Sequence, residues 1–227
     1  MGGRAGRPRQ PGDDVACPGA AGAAAQKKSL VAAERDEAAR QAWRAEVAAI
    51  DPARLVFLDE TATPTSLTRL RARAPRGRRA VGTVPRRRWQ SVTLLASIGP
   101  GGMGAAAVLD GAVNRAAFDA YVAQLLVPTL VPGQVVVLDN LAVHKSPRAR
   151  ALIESAGCAL RFLPPYSPDF NPIEPAFAKI KQRLRGEAPR SFAGIVAATG
   201  PALDAVTAAD ARGFFTHCGY RLPGQLL

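Results

Sequence analysis

The sequence predicts an α/β domain built on a mixed five-stranded sheet flanked by helices. Two apolar runs, the second β-branched, end in a carboxylate: Leu55 to Leu58 before Asp59, and Val135 to Leu138 before Asp139. A glycine-rich turn, Gly99-Pro100-Gly101-Gly102, joins two more apolar runs into a hairpin. Segments with helical spacing separate the remaining runs. The resulting order of strand, hairpin, helix, strand, helix, strand and helix is that of a mixed sheet covered on both faces. Several α/β folds share it.

With 227 residues the chain is long enough for one well-packed domain with appendages. Its formal net charge of +12, mostly from arginine, favours a polyanionic partner, with nucleic acid first. Cys17, Cys158 and Cys218 are widely spaced and form no CxxC pair, which supports neither a disulfide framework nor a zinc site. No apolar run is long enough to span a bilayer, and the N-terminus lacks the apolar stretch of a signal peptide, so no membrane role and a reducing, cytoplasmic setting are expected.

Residues 1–28 are rich in Gly, Ala, Pro and Arg and are expected to be disordered, because they carry too little apolar surface to offset the entropy of ordering. Residues 29–50 read as a lead-in helix ended by Asp51-Pro52, and the main domain runs from 51 to 227. After the first carboxylate, Thr61 to Gln90 holds nine arginines and no acid. Nine like charges repel unless something anionic comes near, so Arg76, Arg78, Arg79, Arg86, Arg87 and Arg88 are expected to follow a DNA backbone. Trp89 begins the next run and is expected in the core. Ser91 to Ile98 and Gly104 to Leu109 form the hairpin. Asn114 then caps a helix with Phe118, Tyr121, Val122 and Leu125 on one face.

Ser146-Pro147 opens a helix to about Ala156, and Cys158 to Leu163 reads as a short strand. Four prolines interrupt Phe162 to Glu174, where Asn171 is expected to cap a helix with Pro172 at its first position and Glu174 in its first turn. Ile173, Phe177, Ile180 and Leu184 form that helix's buried seam. Gly186 to Pro189 breaks it, and one or two alanine-rich helices follow to about Tyr220.

Three acids on three elements, with 34 residues between Asp139 and Glu174, can then meet at one sheet edge. The stretches LVFLDET, VVVLDN with HKSP soon after, and LPPYSPDFNPIEPAF resemble the catalytic signatures of insertion-sequence DDE transposases of the Tc/mariner superfamily. The resemblance runs from about Lys27 to about Tyr220. It implies a ribonuclease H-like fold, with Asp59, Asp139 and Glu174 as catalytic residues and metal ligands. It also implies cleavage of DNA strands and their transfer to a target, as an endonuclease and recombinase acting on double-stranded DNA. The expected setting is the bacterial nucleoid.

The donor chemistry agrees. In-line phosphoryl transfer needs charge stabilisation at both the attacking and leaving oxygens, which two divalent ions supply, and Mg²⁺ or Mn²⁺ suits an all-oxygen set of two Asp and one Glu. His144 and Lys145 lie five and six residues after Asp139 and are candidates to contact the DNA phosphate, or for His144 to position a water, with a surface loop histidine as the plain alternative. Each acid also has a local reading: Asp59 as a turn cap, Asp139 in an Asx-turn, Glu174 as capping partner of Asn171. Glu60 should face the opposite side of its strand from Asp59.

The superfamily carries helix-turn-helix modules before the catalytic domain, and the first 28 residues resemble none. The expectation is a catalytic domain served by a separately encoded helix-turn-helix partner, or a truncated remnant. A homodimer in a synaptic complex is implied by the resemblance. A ribonuclease H-like nuclease without joining activity and an inactive basic DNA-binding remnant stay open beside it.

Overall fold

The computed structural model of the protein describes residues 32–69, 71–85 and 89–222. The expected disorder of 1–28, the first residues of the lead-in helix and Arg86 to Arg88 lie outside them. Helix α1 spans Glu37–Ala48, with the Asp36 carboxylate accepting from Ala39 N at 3.0 Å. Its indole, Trp43, is buried, and so is Arg40.

Five strands follow: β1 (Leu55–Ala62), β2 (Val92–Gly99), β3 (Gly102–Asp110), β4 (Val135–Leu138) and β5 (Ala159–Phe162). They form one sheet in the order β3-β2-β1-β4-β5. The hairpin pairs are antiparallel, and β1–β4 and β4–β5 are parallel. This is the mixed five-stranded sheet expected.

Because side chains alternate along a strand, the sheet separates two apolar layers. Leu55, Phe57 and Val137 pack with α1, α4 (Ile173–Glu187), α5 (Phe192–Asp204) and α6 (Ala208–His217). Val56, Leu58, Val136 and Leu138 face α2 (Arg115–Tyr121) and α3 (Pro147–Ser155). Among the described residues no single helix is long and apolar enough to cross a membrane.

Four local expectations change. After α2 the chain widens into a π turn over Val122–Leu126, and the extra residue rotates the face, so that Leu126 is buried and Leu125 is exposed. Trp89 is exposed rather than core, because β2 begins only at Val92 and the chain before it is held by Thr65, whose hydroxyl accepts from Gln90 N at 2.8 Å. Helix α4 runs through Gly186 to Glu187, and Ala188 takes the left-handed end conformation at φ 50°. Its start is Ile173 rather than Pro172. The Asn171 side-chain oxygen reaches Ile173 N at only 3.4 Å, since its amide nitrogen is engaged elsewhere.

Candidate active site

The β1–β4 register sets the first two acids. Leu58 pairs with Leu138, so Asp59 and Asp139 follow side by side at the carboxyl ends of two adjacent parallel strands. Alternation turns both toward the layer that holds α4. That helix delivers Glu174 in its first turn. All three acids line one cavity of about 410 Å³, walled also by Lys145, Tyr166 and Asn171. The carboxyl end of parallel strands is where open α/β sheets place their ligands.

Asp59 is the buried member, 7% exposed. Its Oδ1 accepts from Glu60 N at 2.8 Å and its Oδ2 accepts from Asn171 Nδ2 at 2.8 Å. Burial, and then the negative charge of Asp139, push its carboxyl up to about 7, with Glu60 and Glu174 adding to the effect. The Oδ1 of Asp139 accepts from Leu141 N at 3.0 Å, the Asx-turn of its local alternative, and also meets His144 Nδ1 at 2.5 Å. Glu174 makes no capping bond to Asn171; its backbone N donates to the Asn171 carbonyl at 3.1 Å.

His144 is neither a surface loop histidine nor free to reach a phosphate. It is fully buried against Phe118, with ring centroids 4.8 Å apart, and both ring nitrogens are taken. Nε2 meets Glu60 Oε2 at 2.8 Å, so the imidazole bridges Glu60 and Asp139. Burial alone would pull its pKa down, but the hydrogen bonds and charges of Asp139 and Glu60 outweigh it and hold the ring up at about 9. Glu60 does face away from Asp59, yet it joins the site through this imidazole. Alternation along β1 signals that placement; the bridge itself depends on how residues 139–146 fold back.

Among the described residues no three His, Cys, Asp or Glu side chains stand close enough to enclose an ion as they are. The three acids, expected to meet at one sheet edge, therefore share a cavity without closing around an ion. Like charges keep apart, and Asp59 and Asp139 are each engaged by neighbours. The donor set still fits a hard divalent cation. It presents carboxylate oxygens alone, it leaves Asp139 Oδ2 and the Glu174 carboxylate without a protein hydrogen bond among the described residues, and its concentrated negative charge is what a cation would offset.

Of the expected DNA contacts, Lys145 is exposed at the cavity rim. Arg76, Arg78 and Arg79 are exposed in the β1–β2 connection, and no ion pair holds them among the described residues. Arg190 secures the start of that connection, with Nη1 donating to Thr65 O at 2.9 Å and Leu67 O at 2.6 Å.

Comparison with known proteins bears on the family and the fold. The profile of the DDE superfamily endonuclease family matches residues 54–193. The pre-cleavage Mos1 transpososome shares 17% identity at a TM-score of 0.68, covering 88% of this chain and 65% of that one. The Mos1 mariner paired-end complex with Mn shares 17% at 0.66, covering 87% and 64%. The catalytic domain of Mos1 mariner transposase shares 14% at 0.58, covering 81% and 86%. This chain thus spans about two thirds of the length of the first two, and its fold is the ribonuclease H-like one of those catalytic domains. No curated protein matches in sequence. The matched stretch holds Asp59, Asp139 and Glu174 and covers most of the chain, and the chain belongs to the DDE superfamily endonucleases.

Proposed function

We propose that this chain is the catalytic domain of a DNA transposase, and that Asp59, Asp139 and Glu174 hold divalent cations, Mg²⁺ or Mn²⁺, while DNA strands are cut and joined. The observation that carries the proposal is the pairing of Asp59 with Asp139 at adjacent parallel strand ends, with Glu174 brought into the same cavity by α4. Support also comes from the Mos1 structures, which include a strand transfer complex and paired-end complexes with Mn and with Mg.

Two ions bound there would stabilise charge on the attacking and leaving oxygens and lower the pKa of an attacking water. The chain's own residues orient that chemistry. Asn171 and the Glu60 backbone fix the Asp59 carboxylate, and His144 with Leu141 N fixes Asp139. Attack by water forms one P–O bond as the bond to the 3′ oxygen breaks, which leaves a 3′ hydroxyl. That hydroxyl then attacks a phosphorus of target DNA and expels the target's own 3′ oxygen. Lys145 at the rim and Arg76, Arg78 and Arg79 beyond it counter the phosphate charge of the duplex. Two copies acting on two DNA ends, on chromosomal DNA, follow from the same reading, with a helix-turn-helix partner supplying end recognition.

The test uses a duplex oligonucleotide with a pre-cleaved end, Mn²⁺ and a supercoiled target. Nicking and end joining are expected from the parent chain, and Asp139→Asn should abolish both while DNA affinity persists. Joining that survives in Asp139→Asn refutes the assignment. Nicking without joining gives a plain nuclease instead.

A further inference from the structure

Helix α1 lies wholly before the stretch that matches the endonuclease family, yet its contacts converge on the turn beside Asp59. Arg40, 1% exposed, donates from Nη1 and Nη2 to the two carboxylate oxygens of Asp169 at 3.0 and 2.6 Å, and its guanidinium lies 4.0 Å from the Phe170 ring centroid. From the same helix, Trp43 Nε1 donates to the Tyr220 hydroxyl at 3.2 Å, and that hydroxyl donates to the Phe170 carbonyl at 2.6 Å. The burial cost of an arginine is offset only by a well-formed pair, and this one, together with the Tyr220 hydroxyl, holds two consecutive residues, Asp169 by its side chain and Phe170 by its ring and carbonyl. The next group in line is the Asn171 amide, which is buried and donates to Asp59 Oδ2.

We infer that α1 is part of the catalytic apparatus: Arg40 and Tyr220 set the Asp169–Asn171 turn so that Asn171, as a positioning residue, holds the Asp59 carboxylate in the orientation that receives a divalent cation. The inference rests on the proposed metal site. Without the amide, Asp59 loses the donor that fixes one of its two oxygens. Without the grip of α1, the amide moves. Partners that orient a ligand typically change metal affinity by about 10- to 100-fold when removed.

The experiment measures Mn²⁺ binding to the full chain by titration calorimetry, with no DNA present, alongside the melting temperature. Asn171→Ala is expected to weaken Mn²⁺ binding at least about tenfold. Asp169→Asn, on a half-exposed side chain, and Tyr220→Phe, which removes only a hydroxyl, keep the core filled and should weaken it in the same direction. Combining either with Asn171→Ala should add nothing further, since all act through one amide. Mn²⁺ affinity unchanged in Asn171→Ala overturns the inference. So does a lowered melting temperature with unchanged affinity in both Asp169→Asn and Tyr220→Phe, or strictly additive effects. If the parent itself binds no Mn²⁺, the metal-site reading falls first and takes the inference with it.

Discussion

Replacing His144 by Gln tests the bridge between Glu60 and Asp139. The imidazole has no exposed surface, and its side-chain partners are 22% and 31% exposed, so solvent screens the pair little. An imidazole held at about 9, against 6.5 when free, binds its proton more tightly in the folded chain than in the unfolded one. That preference corresponds to roughly 3 kcal/mol of stability. Because the folded value is the higher, the whole contribution is present below about 6.5 and disappears as pH rises through about 9. Asp59, also raised, loses its own contribution between 3.8 and about 7. That loss occurs in parent and variant alike and cancels in their difference. Urea unfolding of both chains, in chelator to keep the cavity free of cations, should give a stability gap that is full at pH 6 and smaller by roughly 3 kcal/mol at pH 10. A gap that stays constant across that range would refute the charged bridge and leave His144 as a packed neutral ring against Phe118.

Neutralising Arg71, Arg73, Arg76, Arg78 and Arg79 together should flatten the dependence of DNA affinity on salt, by about 0.9 in log–log slope for each phosphate that is no longer neutralised, as read by fluorescence anisotropy. An unchanged slope removes the β1–β2 connection from the DNA path. Ala188→Gly relieves a left-handed residue at the end of α4 and should raise stability by about 1 kcal/mol, seen as a higher urea midpoint. Phe215→Ala empties a fully buried site whose ring packs edge-on to Phe57 at 5.5 Å between centroids. It should cost about 3–5 kcal/mol by the same measurement. Acidification should weaken the hold of Arg40 on Asp169. Arg40 keeps that carboxyl below its ordinary 3.8, so its contribution is complete above that value and fades as pH falls through the lower folded one. Urea midpoints of the parent and Asp169→Asn, taken from pH 6 down to pH 2, should converge as that hold is released.

What could be read in advance follows the range over which each interaction acts. The apolar runs ending at Asp59 and Asp139 and the proline-rich approach to Glu174 are local patterns, and strand and helix periods report them directly. Periodicity also sent Glu60 to the far side of β1. The π turn after α2 escaped because nothing in Val122 to Leu126 distinguishes one wide turn from a regular one, and the phase error moved burial from Leu125 to Leu126. His144 and Glu60 are 84 residues apart, Asn171 and Asp59 are 112 apart, and Arg40 and Asp169 are 129 apart. Such partners are decided by tertiary packing. A buried arginine among the several arginines of α1 and its approach carries no pattern that marks it.

The shared register of β1 and β4 makes the pair of acids, Asp59 and Asp139, sensitive to chain length in a selective way. One residue inserted within Val135–Leu138 would reverse the facing of everything after it in that strand, sending Asp139 toward Phe118 and stranding Asp59 on the other side of the sheet. Glycine added to the Pro100–Gly101 connection would be absorbed at the sheet's far edge. Drift in this lineage should therefore accumulate length changes in the hairpin tip, while the two central strands hold their count.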